Sequence, residues 1–292
     1  MGEIDVKKIT MCYGKSCALE NISFKIEPNK IYGLLGRNGA GKTTLLNLIT
    51  NRLFPTDGEI TIDGEGVKEN DNAIGKIYYM TERDLFPESM KVKDVFYWTK
   101  EFYPNFDFKY ASNLCEKFDL NPNKKFKSLS KGYNTIAKLI TALSTNSSII
   151  IFDEPVLGLD ANHRDLFYKE LLENFVKQPK TIIISTHIIE EIANMLDRVI
   201  VLNNKKVQVD DSTENLLKSA YCVSGSSENI DKYILGKKCI YIEKMASFKS
   251  AIIQEKITDT DKKNAESLKL ELTKLELQKL FIYLTSTGGV NQ

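Results

Sequence analysis

The sequence predicts an α/β fold built on a parallel sheet, and three observations predict it. A glycine-rich octet, Gly36-Arg37-Asn38-Gly39-Ala40-Gly41-Lys42-Thr43, joins an apolar, β-prone run, Ile31-Tyr32-Gly33-Leu34-Leu35, to a helical pattern, Thr44-Leu45-Leu46-Asn47-Leu48-Ile49. A second apolar run, Ile149–Phe152, ends in Asp153-Glu154-Pro155. A third, Thr181–Ile184, ends in Ser185-Thr186-His187. Continuous apolarity marks strands covered on both faces, as in parallel sheets. Ligands of such sheets sit at the carboxyl ends of the strands.

The octet has the form G-x-x-x-x-G-K-T in strand–loop–helix context, which makes it a phosphate site. Its glycines let backbone N–H groups wrap an anion, and the helix start adds positive potential. Lys42 is expected to reach the β- and γ-phosphates of a nucleotide, and the Thr43 hydroxyl to bind Mg²⁺. The strand that ends at Asp153 delivers a carboxylate to the same place, where it would hold the ion directly or through water. Glu154 follows and is placed to orient and deprotonate an attacking water. Pro155 stops further strand pairing. His187, at the tip of the third strand, is expected to touch the γ-phosphate or to link it to Glu154.

The chain ahead of the octet shows short strands, Glu3–Ile9 and Ile22–Ile26, and another follows at Glu59–Ile62. Asp63-Gly64 and Glu65-Gly66 are turn signals. From about 92 to 145 the apolar period is helical, through Val92, Val95, Phe96, Tyr110, Leu114 and Phe118, punctuated by Pro104 and Pro122. Trp98, Phe102 and Phe106 are expected in its core. Strands Asp197–Leu202 and Lys205–Val209 precede a capped helix, Asp211-Ser212-Thr213-Glu214 to about Ser219. From Tyr221 on, a small α+β unit is expected, with a strand at Leu268–Leu272 and a closing helix through Leu277, Leu280, Phe281 and Leu284 before Gly288-Gly289.

Composition sets the class. The chain of 292 residues is 42% hydrophobic and 27% charged, values of a globular protein. Its 40 basic and 39 acidic residues nearly cancel, which argues against a dedicated nucleic-acid binder. There is no run of about 18 apolar residues to span a bilayer. The start, Met1-Gly2-Glu3-Ile4-Asp5, lacks the basic and apolar regions of a secretory signal. Val6 stands where a myristoylation motif needs Ser or Thr. Cys12, Cys17, Cys115, Cys222 and Cys239 are scattered, odd in number and without a C-x-x-C pair. Reduced, mostly buried thiols in a cytosolic protein are expected.

Over residues 3 to 215 the chain resembles the ATP-binding cassette (ABC) ATPases, the nucleotide-binding subunits of ABC transporters. The resemblance rests on an ordered set of motifs. Gly36–Thr43 match the Walker A loop, and Ile149–Asp153 match Walker B with the catalytic glutamate position at Glu154. Gly158-Leu159-Asp160 resemble the D-loop, and His187 falls at the switch histidine. Tyr13 lies where the family places an aromatic that stacks on adenine. Leu129-Ser130-Lys131-Gly132-Tyr133 resembles the signature, commonly Leu-Ser-Gly-Gly-Gln, with Lys131 replacing Gly and Tyr133 replacing Gln. Ser130 suits the N-cap of the following helix, whose start is an anion site. Glu82 stands at the Q-loop position, where Gln is common, and a carboxylate there can hold water or Mg²⁺. Val156 is a further departure, without assigned chemistry.

The resemblance implies a P-loop NTPase core with an antiparallel β layer, an α-helical signature subdomain over about 92–145 and a small α+β C-terminal extension. It divides the chain into an ATPase domain, 1–219, and an accessory domain, 220–292. It implies nucleotide contacts from Tyr13, Gly36, Arg37, Asn38, Gly39, Ala40, Gly41, Lys42, Thr43 and Thr44, and from Ser130, Lys131 and Gly132 toward a nucleotide held by a second subunit. The metal set is Thr43, Asp153 and Glu82; the catalytic set is Glu154, His187 and Lys42; the cofactors are ATP and Mg²⁺. One copy of each motif implies a head-to-tail dimer with itself or a similar subunit. The expected activity is ATP hydrolysis that powers a separate integral membrane permease, with export of a drug or peptide favoured over import. The expected location is the cytoplasmic face of the membrane. Leu85, Phe86 and Met90 are candidates to anchor a short helix of the permease. A soluble non-transport ABC ATPase and a regulatory ATP sensor are the competing readings.

Overall fold

The computed structural model describes residues 2–83 and 85–285. The Gly288-Gly289 signal lies outside the described residues. In chain order the larger part holds β1 (Ile4–Tyr13), β2 (Ser16–Ile26), β3 (Ile31–Gly36), α1 (Lys42–Ile49), β4 (Asp57–Ile62), β5 (Glu65–Gly66), α2 (Asp71–Ile74) and β6 (Ile77–Met80). Next come α3 (Val92–Phe102), α4 (Phe108–Lys117), α5 (Lys131–Ser144), β7 (Ile149–Asp153), α6 (Ala161–Lys177) and β8 (Thr181–Ser185). Then follow α7 (Ile189–Ile192), β9 (Arg198–Asn203), β10 (Lys206–Ser212), α8 (Thr213–Lys218), β11 (Tyr221–Ser226), α9 (Ser227–Tyr233), β12 (Cys239–Met245), β13 (Phe248–Ile253), α10 (Asp259–Ser267), β14 (Glu271–Lys274) and α11 (Leu277–Thr285).

Two sheets serve the site. The six-stranded sheet runs β10-β9-β3-β8-β7-β6. Within it β3, β8, β7 and β6 pair in parallel, with Ile149 opposite both Ile77 and Thr181 and Ile31 opposite Ile182. Every residue of β3, β7 and β8 is buried, the physical counterpart of their uninterrupted apolar runs. The parallel direction brings the ends of β3, β7 and β8 to one edge, and that edge carries the octet, Asp153-Glu154 and His187. The second sheet, β2-β1-β4-β5, is antiparallel and alternates buried with exposed residues, as a one-sided layer must.

The chain parts into two compact units. One runs to His187 and takes back Leu202–Val209; the other holds Ile188–Val201 and the chain from Asp210 onward. The second unit contains a four-stranded antiparallel sheet, β12-β13-β11-β14. Its core joins Tyr221, Val223, Ile230, Tyr233, Ala251 and Ile253.

Three expectations need correction. Cys12 and Cys17 are joined in a disulfide, because β1 and β2 form a tight hairpin that sets the two residues opposite each other; Cys115, Cys222 and Cys239 remain free. Trp98 and Phe102 are not core: they are 60% and 74% exposed. On α3 the inward face is Val92, Val95, Phe96 and Thr99, and the i, i+4 pair of aromatics occupies another face; Phe106 is buried as expected. The strand placed at Leu268–Leu272 lies at Glu271–Lys274, because Leu268 instead caps the C-terminal end of α10.

Candidate functional site

At the end of β3 the chain turns through the octet into α1. Gly41, the residue before α1, is left-handed at φ 99°. A Cβ there would lie 2.5 Å from Leu19 Cδ2 and 3.0 Å from the Ala18 carbonyl, so both the backbone sign and the space demand glycine. The N-cap of α1 supplies no side-chain hydrogen bond, which leaves its first N–H groups for an anion. Lys42 is buried, and its Nζ donates to the Gly36 carbonyl at 2.7 Å and the Arg37 carbonyl at 3.5 Å. Burial lowers its pKa, against the pull of Glu154 and Asp153. Such a strongly desolvated ammonium gains most from a phosphate partner.

Asp153 closes β7. Its Oδ2 accepts from the Thr43 hydroxyl at 3.2 Å and from the Tyr79 hydroxyl at 3.2 Å. Burial pushes the carboxyl up, with Glu154 a lesser contributor in the same direction. A hydroxyl and a carboxylate meeting at the mouth of the octet are the hard oxygen donors that Mg²⁺ takes, so the donor set fits that ion. A cation there would reverse the electrostatic push on Asp153.

Glu154 sits at φ 50°, a left-handed conformation that costs a non-glycine residue of order 1–3 kcal/mol. It is held there on several sides. Its N–H donates to the Ser185 carbonyl at 2.8 Å. Its Oε2 accepts from the Thr186 hydroxyl at 3.2 Å and meets His187 Nδ1 at 2.9 Å. The bent backbone swings the carboxylate off the line of β7. His187 and Glu154 were both expected at strand ends, and the geometry makes them direct partners.

A cavity of about 330 Å³ is lined by Asn38, Gly39, Ala40, Gly41, Lys42, Thr43 and Thr44, with Glu82, Asp153 and Glu154 on its wall. Gly36 lies beneath at the end of β3, and Arg37 contributes its carbonyl to Lys42. Tyr13, at the end of β1, is 52% exposed, which leaves its ring open for stacking.

The signature segment starts α5. Ser130 is the N-cap, and its hydroxyl accepts from the Tyr133 N–H at 3.3 Å. Gly132 lies against Gly158: a Cβ on Gly132 would stand 3.0 Å from the Gly158 carbonyl. Lys131 runs along Gly158 and borders a cavity with Glu82 and Glu154 of its own chain.

Sequence reasoning missed three contributors. Tyr79 holds Asp153; its signal was only a place on β6, the strand beside β7. Thr186 holds Glu154, hidden beside the more conspicuous His187. Lys138 is buried on α5 and donates to the Thr81 carbonyl at 3.2 Å and the Glu82 carbonyl at 2.9 Å. A lysine among Ile136, Leu139 and Ile140 was a detectable anomaly, since lysine is almost never fully buried unless partnered. It ties the signature helix to the loop that carries Glu82.

Comparison with known proteins agrees with this fold. The family model described as ABC transporter matches residues 19–157. The ABC transporter ATP-binding protein YtrB of Bacillus subtilis (strain 168) is 31% identical over 196 residues, 67% of this chain and 67% of the relative. NatA of the same organism, also an ABC transporter ATP-binding protein, is 32% identical over 210 residues, 69% of this chain and 85% of the relative. Among solved structures, the ATP-binding cassette MJ0796, a dimer in a post-hydrolysis state bound to ADP and Pi, superposes with a TM-score of 0.63 at 24% identity, covering 72% of this chain and 98% of that one. A P-loop NTPase core, an antiparallel layer beside it, the ordered motifs and these relatives converge: the chain belongs to the ABC transporter ATP-binding proteins, the nucleotide-binding ATPases of the ATP-binding cassette family.

Proposed function

We propose that this chain hydrolyses ATP as one half of a closed dimer and so drives a separate membrane permease. The observation that carries the reading is the position of Glu154. It is held off the strand line by Ser185, Thr186 and His187, beside the Thr43–Asp153 pair. A strained, multiply restrained carboxylate at the mouth of an anion loop is the arrangement a general base needs.

In this reading the octet N–H groups, Lys42 and Thr44 hold the phosphates, and Tyr13 stacks on adenine. Thr43 and Asp153 hold Mg²⁺, with Glu82 ordering water beside it. The ion neutralises phosphate charge when bound. Glu154 accepts a proton from a water while that water's oxygen bonds to the γ-phosphorus. The bond from phosphorus to the β,γ-bridging oxygen breaks, leaving ADP and phosphate. His187 keeps the carboxylate aimed and contacts the γ-phosphate. Ser130, Lys131 and Gly132 serve the nucleotide of the second subunit, so two copies, or one copy and a similar subunit, close around two ATPs.

A permease is supported by a second surface. Exposed Trp98, Phe102 and Leu85 stand beside half-buried Phe86 and Met90, and several of these line a groove of about 340 Å³ with Tyr78 and Tyr103. Aromatic-rich apolar surface of this kind marks a protein interface. A short helix of the permease is the occupant we assign. Among the described residues no helix is long and apolar enough to cross a membrane. The ATPase domain in this reading is 1–219 and the accessory domain 220–292. The location is peripheral on the cytoplasmic face, and the direction is export of a drug or peptide.

The test is retrieval of tagged Glu154→Gln protein from native membranes with ATP and Mg²⁺. Recovery of a multi-span membrane protein, lost in a Trp98→Glu/Phe102→Glu variant, supports the reading. Recovery of ribosomal components or of the chain alone overturns it in favour of a soluble ATPase or an ATP sensor.

A further inference from the structure

The second unit contains a cavity of about 490 Å³, larger than the 330 Å³ at the glycine loop and within the range of ligand sites. Its apolar wall comes from Leu217, Tyr221, Ile257 and Leu275. Tyr221 is fully buried, and its hydroxyl is engaged at 3.2 Å with that of Tyr233, so the ring offers the cavity no polar atom in need of a partner. The charge at the cavity is one-sided. Lys218 is paired with Glu214 within α8, which neutralises both. Lys256 and Lys274 also line the cavity, and among the described residues neither forms an ion pair. Lys274 is set directly opposite Tyr221 across the β11–β14 pairing, and cross-strand partners share a face of the sheet. The second lysine adjoins Ile257 in sequence.

We propose that this cavity binds an amphipathic anion, an apolar chain bearing a single carboxylate. The chain lies against Tyr221, Leu217, Ile257 and Leu275, and the carboxylate meets the ammonium groups of Lys256 and Lys274. Apolar surface supplies most of the affinity, and the two unpaired cations set the sign of the head group. The site shares no residue with the proposed nucleotide site, and all of its lining lies in the second compact unit.

The probe is dodecanoate below its micelle concentration, titrated calorimetrically into the full chain without nucleotide. Dodecyltrimethylammonium supplies the opposite head group, and butyrate the head without the chain. The expected result is one dodecanoate per chain, no saturable binding of either control, and at least tenfold weaker binding to Lys256→Gln/Lys274→Gln. Both lysines are exposed, so that variant keeps its fold, which circular dichroism checks. Leu217→Trp, which fills the cavity, is expected to abolish binding. The proposal is overturned if dodecanoate does not bind, if the ammonium compound binds as well, or if the double variant binds dodecanoate unchanged.

Discussion

Two cavities of this molecule, the one at the glycine loop and the one in the second unit, are built on opposite principles. At the glycine loop strain and buried charge come together: Gly41 is left-handed, Glu154 is left-handed, and Lys42 and Asp153 are buried against their preference for water. In the second unit the cavity is an ordinary apolar pocket edged by exposed lysines, with no backbone strain among the residues that line it. Strain and buried charge have to be stabilised by specific neighbours, and those neighbours must occur at fixed spacing. The first cavity therefore leaves a pattern in the sequence, and the second leaves none.

The sharpest way to break this contrast is at Glu154. Replacement by Gln keeps the size and the left-handed backbone but removes the proposed base. ATP turnover is expected to fall by about 10²–10⁴-fold, with nucleotide binding retained. Phosphate release at saturating ATP, beside equilibrium binding of ATP, separates the two. Equal loss of both would mean that Glu154 shapes the site and does no chemistry.

A second buried charge lies outside the proposed chemistry. Lys180, just ahead of β8, is 3% exposed, and its Nζ has no hydrogen-bond partner among the described residues. Burial lowers its pKa from 10.5 to about 8. Between those values the unfolded chain holds the proton and the folded chain has released it. The penalty is therefore complete below about pH 8 and is relieved as pH rises toward 10.5. By this linkage it amounts to at most about 3 kcal/mol. Lys180→Met is expected to raise stability at pH 7 by a large part of that, and to flatten the rise between pH 8 and 10.5 relative to wild type. Trp98, the single tryptophan, reports the transition in denaturant. A variant no more stable than wild type at pH 7 would show that water solvates the ammonium.

The second unit answers pH from the acid side. Burial works against the charge of Asp261, but Lys237 and the Thr258 hydroxyl and N–H outweigh it and hold the carboxyl down at about 2. Its contribution is present above the unfolded value of 3.8 and is lost as pH falls toward 2, about 2 kcal/mol in all. Asp261→Asn is expected to speed amide exchange in α9 and α10 at neutral pH, and to remove the difference between pH 5 and pH 2.5. Identical exchange in the two proteins at pH 6 would show that the pair contributes nothing.

What could be read from the sequence follows the same division. That Gly36–Thr43, Asp153-Glu154 and His187 gather at one edge of the sheet was legible because each stands at the end of a buried apolar strand, where a parallel sheet collects ligands. Tyr79 and Thr186 were not, since each acts through a contact between elements distant in sequence or beside a louder neighbour; Lys138 was visible as a lysine in an apolar run, but its partners, the Thr81 and Glu82 carbonyls, were not. The Cys12–Cys17 bridge was missed because an odd cysteine count argued against pairing, whereas the hairpin register decides it. Trp98 and Phe102 were misplaced because aromatic residues at helical spacing are usually core; only the inward face chosen by Val92, Val95 and Phe96 settles which way they turn.

The smallest expected effect tests the division itself. Gly132 and Gly158 touch closely enough that a Cβ on Gly132 would stand 3.0 Å from the Gly158 carbonyl. Either the loop gives by a few tenths of an ångström or the start of α5 moves. Because α5 is capped by Ser130 and tied through Lys138 to the Glu82 loop, the loop after Pro155 is the softer side. Gly132→Ala is then expected to cost about 1 kcal/mol or less in stability, and to lower ATP turnover more than it lowers ATP binding, since the proposed binding groups of the same chain lie at Tyr13 and in the Gly36–Thr44 segment. If turnover and binding fall together, the start of α5 and the glycine loop form one rigid site, and the signature segment does more in its own chain than its place in a dimer requires. If neither falls, the approach of the two glycines is a packing detail, and the chemistry is confined to the strand ends.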